Sequence, residues 1–419
     1  MSRESVSHTR TRSASPAATQ ADADSGGTSL KAPSLQLRAS SPIQRGGETA
    51  EEARAQALDS ARWAARLYEA MDGAGTDEDA IYNTLRPLSR DQVRQLKQTY
   101  QHVYSRSLVA HLRDELTNGE MRIALIYMLY WPTTDGILRG HPLARAQQRM
   151  LDLPDYSLNN YTDLLDMLDS RQRSWLHKGL AAGNSMLDLI PFAYRIRGKD
   201  EAWLNNHLRL TGNAGGTGIR QQWQMSCGPT TVQAVQGELD PVYALRIHDQ
   251  NPNLSQVNPN NGTAVNPNMA ADQQSMLQST YSGSAHSSHA GVAAPVNNTN
   301  QALVRGRWVD DLLNGRGAGA GVRYSHHGYD ATTTTFTDAL THIDNGLDRG
   351  LPVPIVIGSA AAPNAHYVLV TRRSGANYTI HDPGAGQSVT EARTALLNGT
   401  LSQFGTYNRI WAVEAPSPR

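Results

Sequence analysis

Between residues 52 and 212 apolar side chains recur every three or four positions. After the junction Asn213 to Gly218 (NAGGTG) that spacing gives way to short apolar runs. A change of period of this kind forces a helical part and a sheet-containing part onto one chain. In the first part Leu58, Ala61, Ala65, Tyr68 and Met71 form one stripe, Ile81 and Leu85 a second, and Val93, Leu96, Tyr100 and Val103 a third. Leu108, Leu112 and Leu116 follow, then a helix over Met121 to Tyr130 that Pro132 ends. Residues 132–212 continue as helix, with Leu164, Leu165 and Leu168 on one stripe and Trp175, Leu176 and Leu180 on another.

In the second part, β-like runs fall at Val353–Ile357, His366–Thr371, Tyr378–Ile380 and Ile410–Val413. Helices are expected at Pro229–Gly237, Trp308–Leu313 and Asp338–Arg349. Residues 250–305 are rich in Asn, Pro, Ser and Gly and read as a mobile insertion. Residues 1–51 are rich in Ser, Ala, Arg and Thr and read as a disordered tail, because they cannot bury enough surface to offset chain entropy.

Composition then excludes several function classes. With 419 residues the chain has room for two or three domains, and its 38 basic and 38 acidic residues cancel. The global basic footprint of a nucleic-acid binder is therefore absent. The longest apolar run, Ile123 to Trp131, is too short to span a bilayer, and Met1 to Ser5 lacks the apolar core of a Sec-type signal. Only Lys31, Lys97, Lys178 and Lys199 are lysines, an arginine bias that suggests a GC-rich bacterial genome. The expected location is the bacterial cytoplasm, or outside it by a route that needs no Sec signal.

The single cysteine, Cys227, permits no internal disulfide and no cysteine-based zinc site. It lies in QQWQMSCGPTTVQAV, where Pro229 suits the first turn of a helix. A thiol at a helix N-terminus feels the positive end of the dipole, which favours thiolate. A lone cysteine is otherwise a small buried hydrophobe. Three further residues change that reading. Gln221, six residues upstream, is placed to donate to an oxyanion, with Gln222 and Gln224 as rivals. His366 opens the run HYVLVT, and Asp382 follows sixteen residues later in HDPG, within the return length of a hairpin. Asp382 would then orient the imidazole of His366 toward Cys227. Among the other histidines, His326-His327 read as a solvated loop or a metal pair, and His381 falls on the opposite strand face from Asp382.

QQWQMSCGPT, HYVLV and NYTIHDPG together resemble the papain-like cysteine peptidases, closest to the bacteriocin-processing (double-glycine leader) peptidases. The resemblance covers residues 218–414 outside the Asn-rich stretch, with Ser226 where the family carries Asp. It implies an α+β peptidase fold with an antiparallel sheet over residues 213–419. It also implies Cys227 as nucleophile, His366 as base, Asp382 as its orienter and Gln221 as oxyanion donor, with no cofactor. Peptide or protein is the substrate implied, although deamidases, transglutaminases and acyltransferases use the same triad.

The segment 52–131 resembles one annexin repeat. Its Gly73-Ala74-Gly75-Thr76-Asp77-Glu78 matches the family loop, and SRSL (Ser105 to Leu108) and DELTNG (Asp114 to Gly119) match later signatures without a gap. The resemblance implies calcium held by the backbone oxygens of Met71, Gly73 and Gly75 and by the Glu115 carboxylate, and with it an anionic membrane surface as partner. Oxygen ligands of this kind suit a hard cation. The same loop also reads as a plain helix start, with Thr76 as N-cap and Asp79 at N3. Gly198-Lys199-Asp200-Glu201 is a faint echo, so residues 132–212 read as a degenerate second repeat. Two functions compete: a thiol hydrolase resembling injection-system cargo or other bacterial toxins, and an annexin-like binding protein with an inactive peptidase-like domain.

Overall fold

Apolar spacing converts to helix from Ala50 onward. The computed structural model describes residues 49–73, 75–212, 215–222, 226–251, 253–255, 266–281, 308–316, 320–329, 335–359 and 365–419. The chain divides into Met1–Ala55 and Gln56–Arg419. Of the first unit only residues 49–55 are described, where Thr49 and Glu52 exchange hydrogen bonds at the start of a helix. The tail expected over 1–51 otherwise lies outside the described residues.

The first five helices are α1 (Ala50–Met71), most of which belongs to the second unit, α2 (Glu78–Leu85), α3 (Arg90–Tyr104), α4 (Leu108–Glu115) and α5 (Asn118–Tyr127). Ser89 and Thr117 start α3 and α5 with reciprocal capping boxes. The fifth helix departs from its expected span of Met121 to Tyr130. It begins at the Thr117 cap and stops before Leu129, whose left-handed φ of 60° lets the Tyr130 N–H return to Leu125 O at 3.0 Å. Five more helices follow: α6 (Gly140–Asp152), α7 (Asp155–Asp166), α8 (Ser170–Ala182), α9 (Met186–Ile196) and α10 (Glu201–His207). One hydrophobic core runs through α1–α10 and buries Tyr100, Tyr130, Tyr161 and Trp175.

The remainder is a six-stranded antiparallel sheet with helices on both faces. Its helices are α11 (Cys227–Leu239), α12 (Pro241–Gln250), α13 (Pro267–Tyr281), α14 (Trp308–Arg316), α15 (Thr337–Asp348) and α16 (Arg393–Asn398). Its strands are β1 (Val322–Gly328), β2 (Val353–Gly358), β3 (Ala365–Ser374), β4 (Asn377–Asp382), β5 (Gln387–Ala392) and β6 (Arg409–Pro418), in the order β1-β6-β2-β3-β4-β5. Val356, Tyr367 and Leu369 face α11 in one core, while Ile355, Ile357, Val368 and Val370 face α15 in another. Strands buried on both faces read as unbroken apolar runs, which is why VPIVI and HYVLV stood out. The helical and sheet regions pack on each other: Leu245 of α12 joins the first core, and the His141 N–H donates to Arg349 O at 2.8 Å.

Two expectations are corrected. His326 and His327 lie on β1 and not in a loop, because Val322 to Gly328 pairs with Pro418 to Ala412. The stretch 250–305 is not a structureless insertion throughout. Over 267–281 it forms α13, whose Met269 and Met276 are buried and whose Gln273 bridges to Gln222 and Gln233. Residues 282–307 lie outside the described residues.

Candidate active site and calcium loop

Helix α11 starts at Cys227, with Ser226 as N-cap, so the thiol sits at the positive end of a thirteen-residue helix. The helix packs against β3, whose second residue is His366. His366 hydrogen-bonds the Cys227 thiol, and its Nε2 donates to Asp382 Oδ1 at 2.6 Å. Asp382 ends β4, and Leu369 pairs with His381 in the β3–β4 hairpin, so the hairpin carries both partners to the same end of two neighbouring interior strands. The hairpin expected from the sixteen-residue spacing thus brings Cys227, His366 and Asp382 together.

The electrostatics agree with the geometry. Burial pushes the Cys227 thiol up. The hydrogen bond and charge of His366, with the N–H groups of Tyr367 and Gly228, outweigh it and hold the thiol below its ordinary value. Burial pushes His366 down. The Asp382 carboxylate and Cys227 outweigh it and raise the imidazole to about 10. Burial likewise opposes ionisation of Asp382, and His366 with the Gly384 and Ala385 N–H groups reverses it. The imidazole is therefore charged at neutral pH, and the same contacts favour the thiolate of Cys227 and the carboxylate of Asp382.

Gln221 is held next to the acid: its N–H donates to Pro383 O at 2.9 Å. Gln222 is committed elsewhere. Its Nε2 donates to Arg220 O at 3.1 Å and its Oε1 accepts from the Asn266 N–H. Gln224 lies outside the described residues. His381, on the face opposite Asp382, is buried, bonds Ile219 O through Nε2 at 2.9 Å and is pulled down to about 4 by burial. It is a neutral structural group that straps the segment before Cys227 to β4.

Two contributors were not visible in the spacing. The Gly384 N–H donates to Asp382 Oδ1 at 2.7 Å, and a Cβ at Gly384 would lie 3.3 Å from His366 Cε1. A side chain there would crowd the imidazole, so the glycine of HDPG is required by close approach. Arg220 Nε donates to Gly384 O at 2.9 Å and fixes the same turn. The Asp-Pro-Gly turn signal was the available hint.

In the helical module, Met71 ends α1 and Gly75 takes φ 123°, a conformation that favours glycine. Asp77, and not Thr76, caps α2: its side chain accepts from the Ala80 N–H at 2.9 Å. The Thr76 hydroxyl instead donates to Glu115 Oε2 at 3.1 Å. That bond brings the carboxylate at the end of α4 to the 71–76 loop, thirty-nine residues away in sequence. His111 Nε2 lies 3.9 Å from Glu115 Oε1, and burial with Arg106 holds that imidazole below its ordinary value. Among the described residues no group of three His, Cys, Asp or Glu side chains could hold a metal ion. A cation here would depend on the carbonyls of Met71, Gly73 and Gly75 together with Glu115, and the residues present fit such a hard cation. The echo at Gly198 keeps only the packing role: Asp200 caps α10 by accepting from the Trp203 N–H at 2.7 Å.

Comparison with known proteins falls on this helical module. Residues 62–127 match the annexin family. Over 67 residues the chain is 34% identical to annexin B10 of Drosophila melanogaster, covering 16% of this chain and 21% of that protein. Over 88 residues it is 40% identical to annexin A3 of Mus musculus, covering 21% and 27% respectively. The chain spans about a quarter of the length of these curated relatives. Alongside it stands a separate region built on an antiparallel sheet. An annexin-like helical module therefore occupies residues 62–127.

Proposed function

We propose that this chain is a cysteine-dependent acyl-transfer enzyme, a papain-like thiol hydrolase acting on peptide or protein, with an annexin-like module attached. The observation that carries the reading is the hydrogen-bonded series Cys227, His366 and Asp382, in which the thiol is lowered and the imidazole raised to about 10. In the first step the Cys227 thiolate attacks the substrate carbonyl carbon. His366 then gives its proton to the leaving amine, and a thioester remains on Cys227. In the second step His366 takes a proton from water, the resulting hydroxyl attacks the thioester, and the thiolate returns. Asp382 holds the imidazole in one orientation throughout. Gln221 is the proposed oxyanion donor. An amine acceptor in place of water would make the site an acyltransferase or transglutaminase, and a side-chain amide substrate a deamidase. Proteome-wide cleavage-site profiling of wild type against Cys227→Ala tests the reading. Identical profiles overturn it.

The family match favours a second reading, of an annexin-like calcium, membrane or partner-binding protein whose sheet region is catalytically inactive. It rests on the match over residues 62–127 and on the Thr76–Glu115 contact at the loop. In that reading calcium sits at Met71, Gly73, Gly75 and Glu115 and bridges to an anionic lipid surface. Co-sedimentation with phosphatidylserine vesicles, with and without calcium, tests it. Sedimentation independent of calcium overturns it. Delivery by an injection system, as a bacterial effector or toxin, is the proposed context for the enzyme reading, and it rests only on the Arg/Ser/Gln-rich head.

A further inference from the structure

Between helices α8, α10 and α11 and the β3–β4 hairpin lies a cavity of about 980 Å3. Six of its lining side chains are cationic: Arg139, Arg171, Lys178, Arg209, Arg372 and Arg373. Three are acidic, Asp135, Glu201 and Glu238, and each already has a partner. Glu238 accepts from Arg209 at 3.1 Å, Glu201 pairs with Arg171, and Asp135 accepts from the Ser174 hydroxyl. Arg373 reaches away to Asp344 and Asp348, at 2.7 and 2.8 Å. That leaves Arg139, Lys178 and Arg372, whose side chains make no hydrogen bond or ion pair among the described residues; Glu238, already bonded to Arg209, attracts Lys178 and Arg372 only at longer range.

Lys178 is 5% exposed and lines the cavity. A buried, unpaired cation is costly, and the cost is relieved by loss of the proton or by a counter-ion. Trp175 lies under both Lys178 and Arg209, with the cationic centres 5.1 and 5.3 Å from its ring, which holds the two charges side by side. On the sheet side, register slips between Val370 and Arg372, and a bulge of this kind re-aims a side chain. Ser170, Thr371 and Thr379 share the lining.

We propose that this cavity binds a small, multiply phosphorylated anion, with Lys178 and Arg372 as its principal ligands. Guanidinium and ammonium groups together with hydroxyl donors match phosphate oxygens. A cavity of this size takes more than a single phosphate group. Burial first, then Arg209 and Arg372, hold the Lys178 ammonium down to about 7, while Glu238 and Asp240 act the other way. An anion arriving at Lys178 raises that value, so binding at mildly alkaline pH takes up a proton. The site is independent of the thiol chemistry: it touches neither Cys227 nor His366.

The test is calorimetric titration of the full chain with inorganic tripolyphosphate, in chelator-free buffer at pH 8 and in two buffers of different ionisation heat. Binding with proton uptake is expected. Lys178→Met and Arg372→Met should each weaken it by roughly ten- to a hundredfold, and the Lys178 variant should lose the proton uptake. Lys178→Met removes a buried charge at similar volume, so circular dichroism should show an unchanged fold. Phosphatidylcholine vesicles with a minority of phosphatidate, added with EGTA, form the second arm. Competition between these vesicles and tripolyphosphate identifies a lipid headgroup as the source, and its absence a soluble ligand. No heat with tripolyphosphate and no vesicle binding, or binding that both variants leave intact, overturns the proposal.

Discussion

The Nε2 of His366 donates to Asp382 Oδ1 at 2.6 Å while the same imidazole hydrogen-bonds Cys227, so one ring joins an acid on β4 to a thiol on α11. The pH response of the thiol follows from that link. Cys227 is an acid held low, so its thiolate persists as pH falls until the lowered value is crossed. His366 is held up to about 10, so its charge persists as pH rises to that point. Alkylation of Cys227 by iodoacetamide should therefore rise less steeply from neutral pH to about 8.5 than the roughly tenfold per pH unit of an ordinary thiol. A tenfold rise per unit across that range would show an unpaired thiol.

Removing the partners should act unequally. His366→Ala is expected to return the thiol to an ordinary profile and to cost catalysis nearly as much as Cys227→Ala. Asp382→Asn should be milder, because an orienter is less costly to lose than the group it orients. Gln221→Ala should lower turnover by roughly 10²–10³. Normal turnover in that variant would remove Gln221 from the oxyanion role.

For the loop of the helical module, Glu115→Gln should abolish calcium binding and leave helicity unchanged. One first-shell carboxylate places the affinity toward about 10⁻⁴–10⁻³ M. Thr76→Val frees Glu115 Oε2 from its hydroxyl partner at 3.1 Å and should preserve or strengthen binding. Calorimetry at millimolar calcium with anionic vesicles decides it: equal heats for wild type and Glu115→Gln would exclude this carboxylate.

Helix α13 should behave as core. Met269 is fully buried beside Gln273, which donates to Gln233 Oε1 at 2.9 Å. Met269→Ala should cost about 2–5 kcal/mol of stability, read by urea denaturation. A loss below about 0.5 kcal/mol would return this stretch to the status of a dispensable insertion.

The residues that were legible in sequence are those whose burial is local or continuous. The stripes of α2–α4 and the runs VPIVI and HYVLV announce themselves because apolar side chains face one or two cores, whereas in α1 the stripe expected through Leu58 shares only Met71 with the buried apolar face, which is Ala64, Leu67, Ala70 and Met71. What escaped is held by polar or distant partners. β1 (VRYSHHG) becomes a strand only through β6, ninety residues on, with Tyr324 opposite Pro416. The inner face of α13 includes Gln273, and its packing is carried in part by amide hydrogen bonds that leave no hydrophobic period. Thr76 and Asp77 are both fit to cap α2, and only the position of Glu115 decides between them. The spacing from His366 to Asp382 was informative because a hairpin converts sequence distance directly into proximity.

Sheet order also sets a timetable. β6 is made after every other strand and yet lies between β1 and β2. On the ribosome, Cys227 emerges well before His366 and Asp382, a gap of roughly ten to thirty seconds at ordinary elongation rates. Through that interval the thiol lacks the imidazole that lowers it. The nascent chain is therefore chemically quiet toward its neighbours. Its β1 segment has no strand to join until Arg409 to Pro418 is released, so a product cut short before Arg409 leaves an open edge free to pair with another chain.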